Sequence, residues 1–445
     1  MRALCLTLLF VFTGLQAAEP LRLAVFTADA TPEIGMPVAY VKARSITDPL
    51  SARGVVLMGE GNPVVLCAVD WIGIGNGGHD EWRRSLAEAA GTTMNRVTVH
   101  TLHQHDGVRC DLTAEELLAK HGLGGTRMDA AFCRKVIAST ATAVREAMKQ
   151  AKPLTHLGIG EAKVEKVASN RRILGDNGKI AKMRLSSTKD PVLRELPDGQ
   201  IDPMLKTICF WNGETKLASL HYYATHPMSF YGDGMVTHDF VGIARERRTK
   251  DEGVPHIYFT GCGGNIAAGK YNDGTPESRV RLGEQIYAAM VASEKQMKRA
   301  ELNRIEWRAT PDLFKPDPEF PEERMMKVIE NTQTANSTRI AAALRVGFIR
   351  HCAAGVPIQL TSLHLGDDVC LLHLPGESFI EYQIFAQQQR VGSFVATASY
   401  GDGATGYIPL EKSFAEGGYE PTQAYAAPES EKVMKATIVE LLRAK

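Results

Sequence analysis

Two histidines stand two residues apart at the end of a β-branched run, in the segment VTVHTLHQHDG at 97–107. In an extended backbone side chains alternate faces, so His103 and His105 are expected to point the same way. They would converge on one metal ion or on one substrate atom, and a pair of structural histidines would show the same spacing. A second group lies in HYYATHPMSFYGDGMVTHDFVG at 221–242, where His221, His226 and His238 are three separate candidates. His226 falls where a strand gives way to a turn begun by proline, and His238 precedes the start of a helix. The third signal is LLHLPGESFIEY at 371–382, an apolar strand that runs through Pro375-Gly376 into Glu377. A carboxylate there either points into a site, as strand ends do in open α/β sheets, or stabilises the N-terminus of the next helix.

Alternating strands and helices must position these groups. β-branched runs predict strands at 21–26, 54–58, 64–69, 97–102, 206–211, 217–224, 256–260, 358–365, 369–374 and 393–399. Apolar residues three or four apart predict a helix over 128–150, with Cys133, Ile137, Ala141, Val144 and Met148 on one stripe. Further helices are expected at 80–90, from Thr113 with a capping box to Glu116, and at 278–298, 322–352, 378–389 and 428–442. The proline- and acid-rich stretch 313–323 reads as a linker or surface excursion. Both element types occur along the whole length, which predicts a mixed α/β fold: one large domain of mixed β-sheets flanked by helices.

The chain of 445 residues is long enough to bury a large core, and its 51 basic and 51 acidic residues give zero formal net charge. Nothing in that balance suggests a nucleic-acid footprint or a polybasic membrane anchor. Residues 1–18 read as a secretory signal peptide: Arg2, an apolar run from Ala3 to Phe12, and a small-residue exit at Ala17-Ala18. No later stretch approaches the ~20 apolar residues of a membrane span. A secreted or periplasmic domain over 19–445 is therefore expected. It carries seven cysteines, of which Cys67, Cys209 and Cys370 sit in apolar runs as buried thiols. Cys110 is a candidate for a bridge to Cys133 or Cys262.

Taken in order, the HxHxG strand, ATHPMS, the Gly-rich GCGGNIAAGK, LPGE and GYIPLEKSFAEGGYE resemble the neutral or alkaline, non-lysosomal ceramidases. DATPEIG at 29–35, GVVLMGEGNPVVLCAVDWIGI at 54–74 and ASNRR at 168–172 are similar to that family as well. The resemblance covers roughly residues 21 to 425 and concerns the N-terminal catalytic domain only. It implies a zinc amidase of lipid metabolism that cleaves an N-acyl amide such as ceramide with zinc-activated water. Zinc ligands at His103, His226, Glu377 and Tyr407 are implied by the same match. Catalytic groups at His105, Arg171 and Tyr419 follow from it too, with Tyr419 twelve positions beyond Tyr407 as in the family. The implied partner is a small-molecule or lipid N-acyl substrate. An esterase, a hydrolase acting on a glycan-linked group, and a silent binding relative are the alternatives. Departures from the family pattern are HQHDG for its HTHSG, with Asp106 at a small-hydroxyl position, Phe414 at a tyrosine position, and no counterpart of its immunoglobulin-like C-terminal domain.

Overall fold

The strand Val64–Val69 is buried at every position and shows how the core divides. Val64, Leu66 and Ala68 face a central apolar cluster shared by three sheets. Val65, Cys67 and Val69 face the helices Asn76–Ala90 and Ala130–Lys149 on the outer side. The strand Val369–His373 repeats the pattern, with Val369 and Leu371 in the central cluster and Cys370 and Leu372 in an outer one. Strands covered on both faces read as unbroken apolar runs for this reason. This architecture comes from a computed structural model that describes residues 19–443; the signal peptide expected over 1–18 lies outside the described residues.

The first sheet has the order Lys152–Pro153, Arg22–Asp29, Ser51–Met58, Val64–Val69, Val97–Thr101. The second runs His256–Thr260, Thr215–Tyr223, Met204–Asn212, His156–Lys163, Lys298–Glu301. A third places Ile305–Asp312, Ile358–Leu365, Val369–His373 and Phe394–Ala398 side by side. Each sheet is antiparallel except for one parallel pair at its edge. Parallel neighbours need a crossover, and each pair has a helix to make it: Asn76–Ala90, Asp239–Glu252 and Ile380–Gln389.

These strand–helix–strand units set the site. The C-terminal ends of their six strands lead to Ile72, His103, His226, Gly263, Glu377 and Tyr400, all of which meet at one place. The buried pair Asp70–Arg245 ties the first unit to the helix of the second through contacts of 2.6 and 2.9 Å. Burial alone would raise the Asp70 carboxyl, but the Arg245 guanidinium outweighs it and holds the group far below the usual carboxylate range.

The expected mixed α/β class and single domain are what the structure shows, and the strands 64–69, 256–260 and 358–365 stand as read. Several local expectations need correction. The helix predicted from Thr113 spans Leu112–Lys120 and is capped by Asp111, whose side chain accepts from Ala114 N–H; Thr113 Oγ1 accepts from Gly77 N–H instead. The single helix expected over 322–352 is two, Glu322–Glu330 and Asn336–Ala353. Between them Asn331 Oδ1 accepts from Gln333 N–H, a local turn that competes with helix continuation. All seven described cysteines are free thiols. Cys110 packs in one cluster with Cys133, whose Sγ donates to Arg109 O, while Cys262 packs in a separate cluster. No described helix is long and apolar enough to cross a membrane.

Candidate metal centre

The loop after Val97–Thr101 brings His103 and His105 together by turning. His103 has a φ of 64°, in the left-handed region, so the two rings meet across a tight turn and not on one face of a strand. Gln104, fully buried, staples that turn: its Nε2 donates to Asp70 O at 2.6 Å and its Oε1 accepts from Asp106 N–H at 2.7 Å. Gly107 is required here, because a Cβ on it would lie 2.1 Å from Gln104 Nε2. Asp106 turns away from the imidazoles and accepts from Gly234 N–H at 3.2 Å. Burial pushes its carboxyl up to about 6.

His226 follows the strand Thr215–Tyr223, and its Nδ1 donates to Gly263 O at 2.7 Å. His103 Nδ1 donates to Ile72 O at 2.6 Å. A carbonyl can only accept, so both Nδ1 atoms carry the proton and both Nε2 atoms present a lone pair. The backbone of GCGGN does approach the site: a Cβ on Gly264 would meet Glu377 O at 2.3 Å.

Glu377 lies in the short strand Glu377–Ser378, which pairs in parallel with Tyr407–Ile408, and Glu377 stands directly opposite Tyr407. The helix begins only at Ile380, so the helix-terminus reading of Glu377 does not hold. One carboxylate oxygen, Oε2, sits 3.2 Å from His103 Nε2 and 3.1 Å from His226 Nε2. Tyr407 Oη lies 3.4 Å from the same nitrogen of His226.

Two imidazole lone pairs, a carboxylate oxygen and a phenol oxygen thus face one another in a buried space. Such an array calls for a cation. Ligands about 2.0 to 2.1 Å from a tetrahedral zinc ion are separated by about 3.3 Å, which matches the 3.1, 3.2 and 3.4 Å found here. The two carbonyls that hold the Nδ1 protons are the outer partners a metal-binding histidine normally has. The residues present therefore fit a transition-metal ion.

The remaining site residues take different places. His105 has its ring centroid 4.9 Å from that of His103, and its Nε2 is buried without a hydrogen-bond partner. Burial, reinforced by His103 and His226, lowers its basicity strongly. Tyr419 is 46% exposed at the mouth, edge-on to Tyr407 with centroids 5.8 Å apart. Arg171 is buried behind Tyr407 and not on the wall of the cavity of about 270 Å³ above the centre. Its Nη2 donates to Tyr407 Oη at 3.0 Å and to Gly264 O at 2.5 Å, and its Nε lies 3.3 Å from Glu420 Oε1.

Of the other candidate histidines, His221 Nε2 is 2.7 Å from His256 Nδ1, in a network that Glu252, Glu294, Lys216 and Arg248 fill with paired charges. Among the described residues, His221, His256 and Glu294 form a second metal-sized group, but these ion pairs already engage it. His238 packs against Gly242, away from the site. Sequence reasoning missed Tyr40, whose hydroxyl lies 2.6 Å from His105 Nδ1, and Tyr400, which stacks on His103 at 4.5 Å. Neither sits in a recognisable local pattern.

The overall architecture is that of the neutral ceramidases. Neutral ceramidase from Pseudomonas aeruginosa superposes with a TM-score of 0.70 at 15% identity, over 95% of this chain and 74% of that one. A ceramidase complexed with C2 gives a TM-score of 0.70 at 15% identity, over 95% of this chain and 75% of that one. No family model matches the chain, and no curated protein matches it by sequence.

Proposed function

We propose that this chain is a secreted or periplasmic zinc-dependent hydrolase that cleaves the amide of an N-acyl compound of the ceramide type. The observation that carries the reading is the meeting of His103, His226 and Glu377, which follow strands of three separate sheets, with Tyr407 on the short strand paired to Glu377, at spacings suited to one metal ion. Those four side chains would hold the ion. When bound, zinc lowers the pKa of water to about 7 and supplies positive charge beside the scissile carbonyl. The ceramidase fold favours an amide over other bonds, although one fold hosts many substrates.

This chain's own residues divide the rest of the work. The carbonyls of Ile72 and Gly263 keep the Nδ1 protons on His103 and His226 and so keep both Nε2 atoms available as ligands. His105 is set the opposite way. With the Tyr40 hydroxyl, 2.6 Å from its Nδ1, as the donor to that nitrogen, the proton rests on Nε2, which is buried in the cavity wall without a partner. That N–H stabilises negative charge on the carbonyl oxygen or passes a proton to the leaving nitrogen. Tyr419 offers a second hydroxyl at the mouth, and Arg171 is a positioning residue that fixes Tyr407.

The purified chain should contain about one zinc and hydrolyse N-acyl amides at rates comparable with matched esters. Absence of a tightly held transition metal would defeat the reading, and cleavage of esters alone would turn it to an esterase. Tyr40→Phe separates the roles of the histidines. Loss of the hydroxyl should leave metal content unchanged and lower kcat ~10- to 100-fold, the range seen when an outer partner of a site histidine is removed. A fall in metal content instead would make His105 a ligand.

A further inference from the structure

The cavity above the metal centre carries more positive charge than hydrolysis of a neutral amide requires. Arg109 and Arg127 both line it, on the same side as Tyr40 and His105. Arg109 lies in the two-residue strand that pairs with Gly73–Ile74, and a Cβ on Gly73 would come within 3.2 Å of its Nη1. The missing side chain at Gly73 leaves room for the guanidinium. Arg127 rests over the Tyr40 ring at 5.0 Å.

Among the described residues neither arginine has an ion-pair partner, and the Nε of each is buried without a hydrogen-bond acceptor. Elsewhere the buried guanidinium groups find acceptors, either carboxylates, as Arg245 with Asp70, Arg171 and Arg172 with Glu420 and Arg248 with Glu294, or backbone carbonyls, as Arg184 with Leu193 O, Arg339 with Ile329 O and Arg345 with Ala424 O. The acids that face the cavity are committed. Glu377 serves the imidazoles, and Asp111 accepts from Asn76 Nδ2 and Ala114 N–H. Two like charges share a small polar cavity, and burial together with Arg109 lowers Arg127 to about 10. Unpaired, partly buried guanidinium groups are costly, and their fork of N–H donors matches the geometry of an oxyanion.

We propose that Arg109 and Arg127 form an anion subsite, so that the preferred substrate is an N-acyl compound with a carboxylate or sulfonate group. An N-acyl amino acid is of this class, whereas ceramide carries no charge. The proposal deepens the amidase reading and rests on it for the bond cleaved, but the subsite itself rests on the two arginines.

The test uses non-hydrolysable probes with the full-length, metal-loaded chain. The keto-acid isostere of hexanoylglycine, with a methylene in place of the amide N–H, is compared by calorimetry with its sulfonate analogue and with its neutral primary amide. At least one of the two anions should bind ~10-fold or more tightly than the neutral probe, as expected for charge-assisted hydrogen bonds. Whichever is tighter identifies the oxyanion. Arg109→Gln and Arg127→Gln should each shrink that preference, and added salt should weaken anion binding in the wild type. Equal affinity for charged and neutral probes in the wild type would overturn the proposal, with no dependence on how the variants fold. Hydrolysis of hexanoylglycine and its primary amide is measured in parallel. If neither is cleaved while the anion preference persists, the amidase reading fails and the subsite stands. If both are cleaved and bound equally, the amidase reading stands and the subsite fails.

Discussion

His226→Ala is expected to reduce bound metal from about one ion per chain to a trace and to lower kcat/KM by ~1,000-fold or more. Removing an outer partner of a metal histidine alone costs 10- to 100-fold in affinity or activity. Losing a direct ligand must cost more, because Glu377 and His103 then hold the ion without the imidazole that completes their triangle. The rate follows the metal, since water outside its influence returns to a pKa near 15.7. His221→Ala is the informative control. It lies on the same strand segment, yet its ring is engaged with His256 and Thr207. That variant should keep its metal and lose stability instead. Metal analysis and amide hydrolysis of both proteins decide the matter: retention by His226→Ala with loss by His221→Ala would place the centre in the other histidine group.

The contrast between those two histidines shows what the primary structure could and could not reveal. The resemblance to the ceramidases implies His103, His226, Glu377 and Tyr407 as one set, and the structure brings all four together. Alternation along a strand does not bring His103 and His105 together: His103, with φ of 64°, makes the turn that joins them. Periodicity describes regular backbone and has no term for such a kink. The strand His156–Lys163 went unread because Gly158 and Gly160 weaken any strand signal. Both are glycine because Met297 and Ser293 pack where their side chains would be, with a Cβ on Gly160 only 2.0 Å from Ser293 O. Ile305–Asp312 was hidden by its charges, which lie on a half-buried edge strand. Tyr40 left no trace at all. Its partner His105 is far along the chain, and the contact exists only because the excursion between Arg22–Asp29 and Ser51–Met58 folds back over the end of its own sheet, where Ala39 N–H donates to Gly107 O.

Arg171→Met tests whether a buried guanidinium acts through Tyr407 or merely supports the fold. Its Nη2 bridges Tyr407 Oη and Gly264 O, so one side chain fixes the phenol and the glycine-rich loop that carries the acceptor for His226. Burial raises the Tyr407 phenol far above its ordinary range, and the nearby Arg171 charge is the first influence opposing it. Without that charge the phenol becomes a poorer metal ligand. Metal affinity should fall ~10- to 100-fold and kcat/KM by ~100-fold or more. Stability should fall by ~1–3 kcal/mol, less than for an isolated buried pair, because Glu420 keeps its contact with Arg172 at 2.7 Å. Arg172→Met provides the comparison. Arg172 contacts Glu416, Glu420 and two backbone carbonyls but not Tyr407. It should lose comparable stability in urea while keeping metal affinity within a few-fold of wild type. Chelator competition and urea unfolding on both variants separate the two roles: equal losses of metal affinity would reduce Arg171 to a structural support, whereas loss confined to Arg171→Met makes the arginine part of how the centre holds its charge.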